Sequence, residues 1–112
     1  MKLPYGKAAE LEQIIHKLET YALNTNHDKG KHKARVFRAK LGITIDNKNV
    51  LANALLDAAA TGEARPTRAD KYGEQYVINF LLTTDIGFSM VCSAWIIRVD
   101  ERHPRLVSVY PV

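Results

Sequence analysis

Apolar residues in the first sixty positions recur at intervals of three and four. From Ala8 to Ala22 the positions Leu11, Ile14, Ile15, Leu18 and Tyr21 or Ala22 fall on one side of a 3.6-residue repeat, which predicts an amphipathic helix. Leu23-Asn24-Thr25-Asn26 breaks that repeat with turn-forming residues. A second helix is expected to start near Asp28 to Gly30 and to stop at Gly42, where glycine suits the residue just past a helix end. Its inward stripe is Ala34, Phe37 and Leu41. A third helix, capped by Asp46 or Asn47, is expected to run through Ala60 and end at Gly62, with Val50, Leu51, Ala54, Leu55 and Ala58 inward.

After Gly62 the repeat changes. Glu63 to Gly73 is polar and contains Pro66, so it reads as a loop that can include an edge strand. Gln75 to Thr84 is rich in β-branched and aromatic residues, and Thr84-Asp85-Ile86-Gly87 suits a hairpin turn. Phe88 to Val99 is a second strand, Asp100 to Pro104 a polar turn, and Arg105 to Tyr110 a third strand. Sequential strands with short turns imply an antiparallel meander. The expected class is therefore α+β: two to three amino-terminal helices on one face of a three- to four-stranded antiparallel sheet, in one domain over residues 1–112. On the last strand, Leu106, Ser108 and Tyr110 alternate and are expected to share a face.

Composition narrows the class. The chain has 112 residues, 46% hydrophobic and 25% charged, as in ordinary globular proteins. No run approaches the roughly 18 apolar residues of a membrane span. The start, MKLPYGKAAELEQ, lacks the apolar stretch of a cleaved signal peptide, so a cytoplasmic location is expected. One cysteine, Cys92, rules out an internal disulfide and sits in an apolar run, where a packing role is expected.

Charge is unevenly placed. Between His27 and Lys40 six Lys/Arg (Lys29, Lys31, Lys33, Arg35, Arg38, Lys40) stand against Asp28, while the other 98 residues hold ten Lys/Arg and eleven Asp/Glu. All the excess positive charge therefore lies in one segment that reads as a helix start, where cations cost about 0.3–1 kcal/mol each. One reading is a solvated face on which salt screens the penalty. The other is an anion site, in which backbone N–H groups, the helix dipole and Lys/Arg side chains act together on phosphate. Lys31, Arg35 and Arg38 line one flank of this helix, and Lys33 and Lys40 another beyond the Phe37/Leu41 stripe. His27 precedes the helix, and a neutral imidazole beside a phosphate site suits a general base. His27 and His32 lack further ligands for zinc, and nearby lysines repel a cation, so no metal or cofactor is expected. GKHKAR has neither the spacing nor the preceding strand of a phosphate loop.

The stretches LNTNHDKGKHKARVFRAKLGI, YGEQYVINFLLTT and AWIIRVDERHPRLVSVYPV resemble a bacterial domain of unknown function found in cyanobacteria and at the carboxyl ends of polymorphic, contact-dependent toxins. The likeness spans roughly Tyr21 to Tyr110. The layout is similar to small ribonuclease toxins of the barnase, EndoU, colicin and RelE type, which work without metal. Carried onto this chain, the resemblance implies His27 as acid or base, with Lys33, Ser108 and Tyr110 completing the catalytic set. Lys29, Lys31, Arg35 and Arg105 would hold RNA phosphate, and Trp95 would stack a base. It also implies a toxin-like, metal-independent endoribonuclease acting on tRNA or mRNA, with an antitoxin or immunity-type partner and no membrane. The chain departs from those relatives at Thr84-Asp85-Ile86-Gly87, where they carry a Gly-Pro-Asn-Gly-like turn. The same patch also suits a non-catalytic module that binds nucleic acid or an acidic partner. An open sheet edge would instead suit a protein-interaction domain.

Overall fold

A computed structural model describes all 112 residues. Helix α1 (Leu11–Lys17) continues into a π-turn over Leu18–Ala22; α2 spans Lys31–Leu41 and α3 Lys48–Thr61. Four strands follow, β1 (Ala64–Asp70), β2 (Gly73–Thr83), β3 (Phe88–Arg98) and β4 (Arg105–Pro111). They form one antiparallel sheet in the order β1-β2-β3-β4. The α+β meander with helices ahead of the strands is as expected, and the polar Glu63–Gly73 segment contains the edge strand β1.

The helices end where the sequence predicts. Gly42 has φ 66° and closes α2, its N–H donating to the Arg38 carbonyl. At α3 the entry is more elaborate: Thr44 and Asn47 form a reciprocal capping box around a 3-10 turn over Ile45–Asn47. Ala34, Phe37 and Leu41 of α2 are buried. On α3 the inward face is Leu51, Ala52, Leu55, Ala58 and Ala59, whereas Val50 is exposed. Small alanines let α3 lie close to α1, and their weak amphipathic signal misplaces the face by about one position.

The core lies between the helices and one face of the sheet. Strand β3 alternates cleanly: Ser89, Val91, Ser93, Trp95 and Ile97 are buried, and the residues between them point to the other face. Trp95 is 0% exposed. Its indole N–H donates to Ser93 Oγ at 2.9 Å, and Ser93 donates to the Ile78 carbonyl at 2.8 Å, so both buried polar side chains are satisfied. This overturns Trp95 as a base-stacking residue, because the ring is sealed among core side chains. Cys92 points to the outer face and is half-buried.

The last strand departs from simple alternation. Trp95 pairs with Leu106 but Ala94 pairs with Ser108, so a bulge at Val107 inserts one residue into β4. Leu106 therefore points into the core while Ser108 and Tyr110 point outward, beside Ala94 and Cys92. The shared face expected for all three residues is corrected by that single insertion. The free edge of β4 is covered locally by Gln13, whose amide donates to the Leu106 carbonyl at 3.0 Å and accepts from the Leu106 N–H at 2.7 Å.

Ser93→Ala leaves the indole N–H buried without an acceptor. A loss of about 1–3 kcal/mol is expected, read as a lower urea midpoint with unchanged slope.

Candidate functional site

Tyr21 stands at the middle of the candidate site because of the π-turn. Leu23 N–H donates to the Leu18 carbonyl at 2.9 Å, one residue wider than an α-helical turn. The wider turn buries Leu18, Ala22 and Leu23 and leaves Tyr21 half-buried at the rim. In the following loop, Asn24 Oδ1 accepts from Asn26 N–H at 2.8 Å. His27 then turns its ring inward. Its Nδ1 accepts from the N–H groups of Lys29 and Gly30, each at 3.0 Å, and its carbonyl accepts from Lys31 N–H at 2.9 Å. Gly30 is buried, and a Cβ there would meet the Tyr21 carbonyl oxygen at 2.0 Å. Only glycine lets α2 begin so close to the π-turn.

The side chains converge from four elements. The His27 and Tyr21 rings meet edge to face with centroids 4.8 Å apart. Lys33, in the first turn of α2, donates to the Tyr21 hydroxyl at 2.6 Å. Its ammonium lies 4.5 Å from the Tyr21 ring centre and 5.7 Å from that of Tyr110. Lys17, the last residue of α1, places its ammonium 5.4 Å from the Tyr21 ring. Lys17, Tyr21 and His27, together with Asp28, Lys29, and Val107 and Ser108 at the β4 bulge, line an open cleft of about 790 Å³. None of the six cations from Lys29 to Lys40 pairs with an Asp or Glu side chain.

His27, Lys29 and Ser108 thus share one cleft, with Lys33 reaching its Tyr21 wall and Tyr110 just beyond. Two expectations change. The N–H groups of Lys29, Gly30 and Lys31, in the turn that leads into α2, are taken by His27, so these three are not free for an anion. With Nδ1 accepting two hydrogen bonds, the neutral ring carries its proton on Nε2, which makes no hydrogen bond and is not buried. In this arrangement His27 offers the cleft a donor in place of the expected base. Lys31 and Arg35 do not line this cleft. Arg105 is committed to Glu101 by two hydrogen bonds of 2.8 and 2.7 Å, so it is not a free phosphate ligand. The guanidinium holds the Glu101 carboxyl down at about 2. His103 stands 3.2 Å from Glu10 and 3.9 Å from Glu101 in the same polar turn. The Cys92 thiol, its cross-strand neighbour, holds Tyr110 above the usual phenol range.

Sequence reasoning missed Lys17 and Tyr21. The helical repeat leaves Tyr21 and Ala22 as rival inward positions, and only the π-turn separates them. No group of three His, Cys, Asp or Glu side chains is placed to hold a metal ion, and no helix is long and apolar enough to cross a membrane. A family model described as Domain of unknown function (DUF6883) matches residues 2–112. The chain belongs to that family. No curated protein and no solved structure matches it.

His27→Ala removes the acceptor that closes the turn leading into α2 and is expected to cost about 0.5–2 kcal/mol, with His27→Asn, which keeps an acceptor, losing less; thermal unfolding of both variants checks this. The Arg105–Glu101 pair gives a second expectation. A lowered folded-state pKa contributes stability above the ordinary value of 4.5, lost as pH falls toward about 2. Arg105→Met should flatten the fall of the urea midpoint across that window.

Proposed function

We propose that this member of the DUF6883 family binds RNA, holding its phosphates in the cleft around Tyr21. The observation that carries this reading is the convergence of Lys17 and Lys33 on one half-buried tyrosine, with Lys29 on the same cleft and no carboxylate paired to any of them. Unpaired ammonium groups around a concave surface attract a polyanion and release its counterions on binding. The outward Nε2–H of His27 adds a directional donor to a phosphoryl oxygen, and the Ser108 hydroxyl adds another group on the opposite wall. Asp28 is the one acid on the rim, and it leaves the cleft net positive.

A second reading, a toxin-like metal-independent endoribonuclease acting on tRNA or mRNA, is favoured by the 2.6 Å contact between Lys33 and the Tyr21 hydroxyl. In it the ribose 2′-oxygen attacks the adjacent phosphorus as the bond from phosphorus to the 5′-oxygen breaks. The 2′ proton passes to the Tyr21 oxygen in its phenolate form, held by the Lys33 ammonium, and the departing 5′-oxygen takes the Nε2 proton of His27. Lys17, Lys29 and the His27 donor face the charge that develops on the phosphoryl oxygens. This reading carries with it a cytoplasmic site of action and an acidic antitoxin or immunity-type partner that covers the cleft. The engaged Nδ1 of His27 favours binding without turnover, since it removes the imidazole as base.

Anisotropy titrations of the full chain with labelled RNA, with EDTA present, test the first reading. Binding should weaken steeply with salt, and Lys17→Met, Lys29→Met and Lys33→Met should each reduce the log–log salt slope by about 1. Salt-independent binding, or none, overturns it. Gel analysis of the same mixtures tests the second: cleavage that Tyr21→Phe abolishes supports it, and intact RNA at every protein concentration removes it.

A further inference from the structure

The helices cover only one face of the sheet, and the opposite face carries exposed apolar side chains at its Phe88 end. Along β3 the outward residues are Phe88, Met90, Cys92, Ala94 and Ile96, with Arg98 at the end. Phe88 is 74% exposed, and its neighbours Leu81 and Val112 are 60% and 64% exposed. Met90 pairs with Leu81 on one side, and on the other accepts a 2.8 Å hydrogen bond from Val112 N–H. Tyr110 pairs with Cys92 one step along the same face. Contiguous apolar surface of this kind marks a binding surface.

We infer that this bare face continues the Tyr21 cleft as a platform for the bases of a single-stranded nucleic acid, with one side of α2 holding its phosphates. The inference rests on the RNA-binding reading and extends it to a strand class and a path. Three concavities lie in a row along the junction of α2 and β4. The first is the Tyr21 cleft with Lys29 on its rim. The second, about 330 Å³, lies between Lys33, Val36 and Tyr110. The third, about 520 Å³, is bounded by Lys40, Leu81, Phe88, Met90 and Val112. Each pairs a lysine with an aromatic side chain: Lys29 with Tyr21, Lys33 with Tyr110, Lys40 with Phe88.

The spacing has a cause in helix geometry. Lys33 and Lys40 are seven residues apart, two turns and about 10 Å along α2, so both stand on the flank that faces β4. Lys31, Arg35 and Arg38 project elsewhere, and none of them lines the three concavities. Lys40 is held at the platform's end by a 2.9 Å hydrogen bond to the Val112 main-chain oxygen. Cations along one edge and flat apolar groups along the other match the phosphates and base faces of an unpaired strand. A duplex hides those faces. A second copy of this chain, docked through the same surface, would bring two unneutralised lysine rows together.

The test uses the full chain and three labelled probes of equal phosphate count: a U12 RNA strand, an abasic 12-mer and an RNA duplex. U12 is expected to bind roughly fivefold or more tighter than either control, since stacking is worth about 1–3 kcal/mol per base. Phe88→Ala and Tyr110→Ala should each weaken U12 binding about five- to tenfold while abasic binding stays the same. Phe88 is mostly exposed, so its removal spares the core, and circular dichroism checks that both variants are folded. Substituting Lys29, Lys33 and Lys40 by Gln should weaken U12 binding far more than substituting Lys31, Arg35 and Arg38. Equal affinity for U12 and the abasic strand, with the lysine effects intact, overturns the platform and leaves the cleft reading standing. Absence of binding to all three probes overturns both. Concentration-dependent dimerisation that Phe88→Ala abolishes also overturns the platform, because the face is then a self-interface.

Discussion

The imidazole of His27, accepting at one nitrogen from two backbone N–H groups, is the contact on which the site depends. A helix that starts with Lys31, His32 and Lys33 gains nothing from its dipole at that end. A neutral acceptor inserted at the start satisfies donors that acids would otherwise serve, and it leaves the cations free of local carboxylate partners. Gly30 makes the geometry possible by letting α2 touch the main chain of Tyr21. With the helix start fixed there, Lys33 reaches the tyrosine hydroxyl and the ring of Tyr110 lies within cation–π range of the same ammonium.

Positive charge left unpaired is a cost in the isolated domain, and so is an apolar sheet face left in water. The two meet along the edge of β4, where Lys33 and Lys40 border Tyr110, Phe88 and Val112. The core beneath is conventional, with Trp95 hydrogen-bonded, Phe37 and the aliphatic side chains closed around it, and the edge of β4 covered by Gln13. Local rules are broken on the surface while the interior obeys them. That separation is the pattern expected when binding, not folding, sets the surface residues.

Much of this was legible beforehand. Repeats of three and four located the helices, the change of period after Gly62 located the sheet, and Gly42 marked the end of α2. The cation cluster and His27 were visible as a run that contradicts its helical position. The roles within the run were not. A histidine ahead of a basic helix reads as a base, and only its distances to Lys29 and Gly30 show it as the acceptor that closes the turn before α2. Val50 on α3 and Leu106 on β4 depart from the pattern because alanine-rich helices carry little amphipathic signal and a bulge leaves no mark in an alternating sequence.

The sequence by itself determined the elements, their order and the concentration of charge, because these follow from local periodicity and from counting. Only the tertiary structure decided which cations work together. Lys17 and Lys33 are sixteen positions apart and meet across Tyr21 because a π-turn adds one residue to a helix. Ser108 joins them because a bulge adds one residue to a strand. Each insertion rotates every later side chain relative to its neighbours, and the energy that selects it comes from packing against distant parts of the chain.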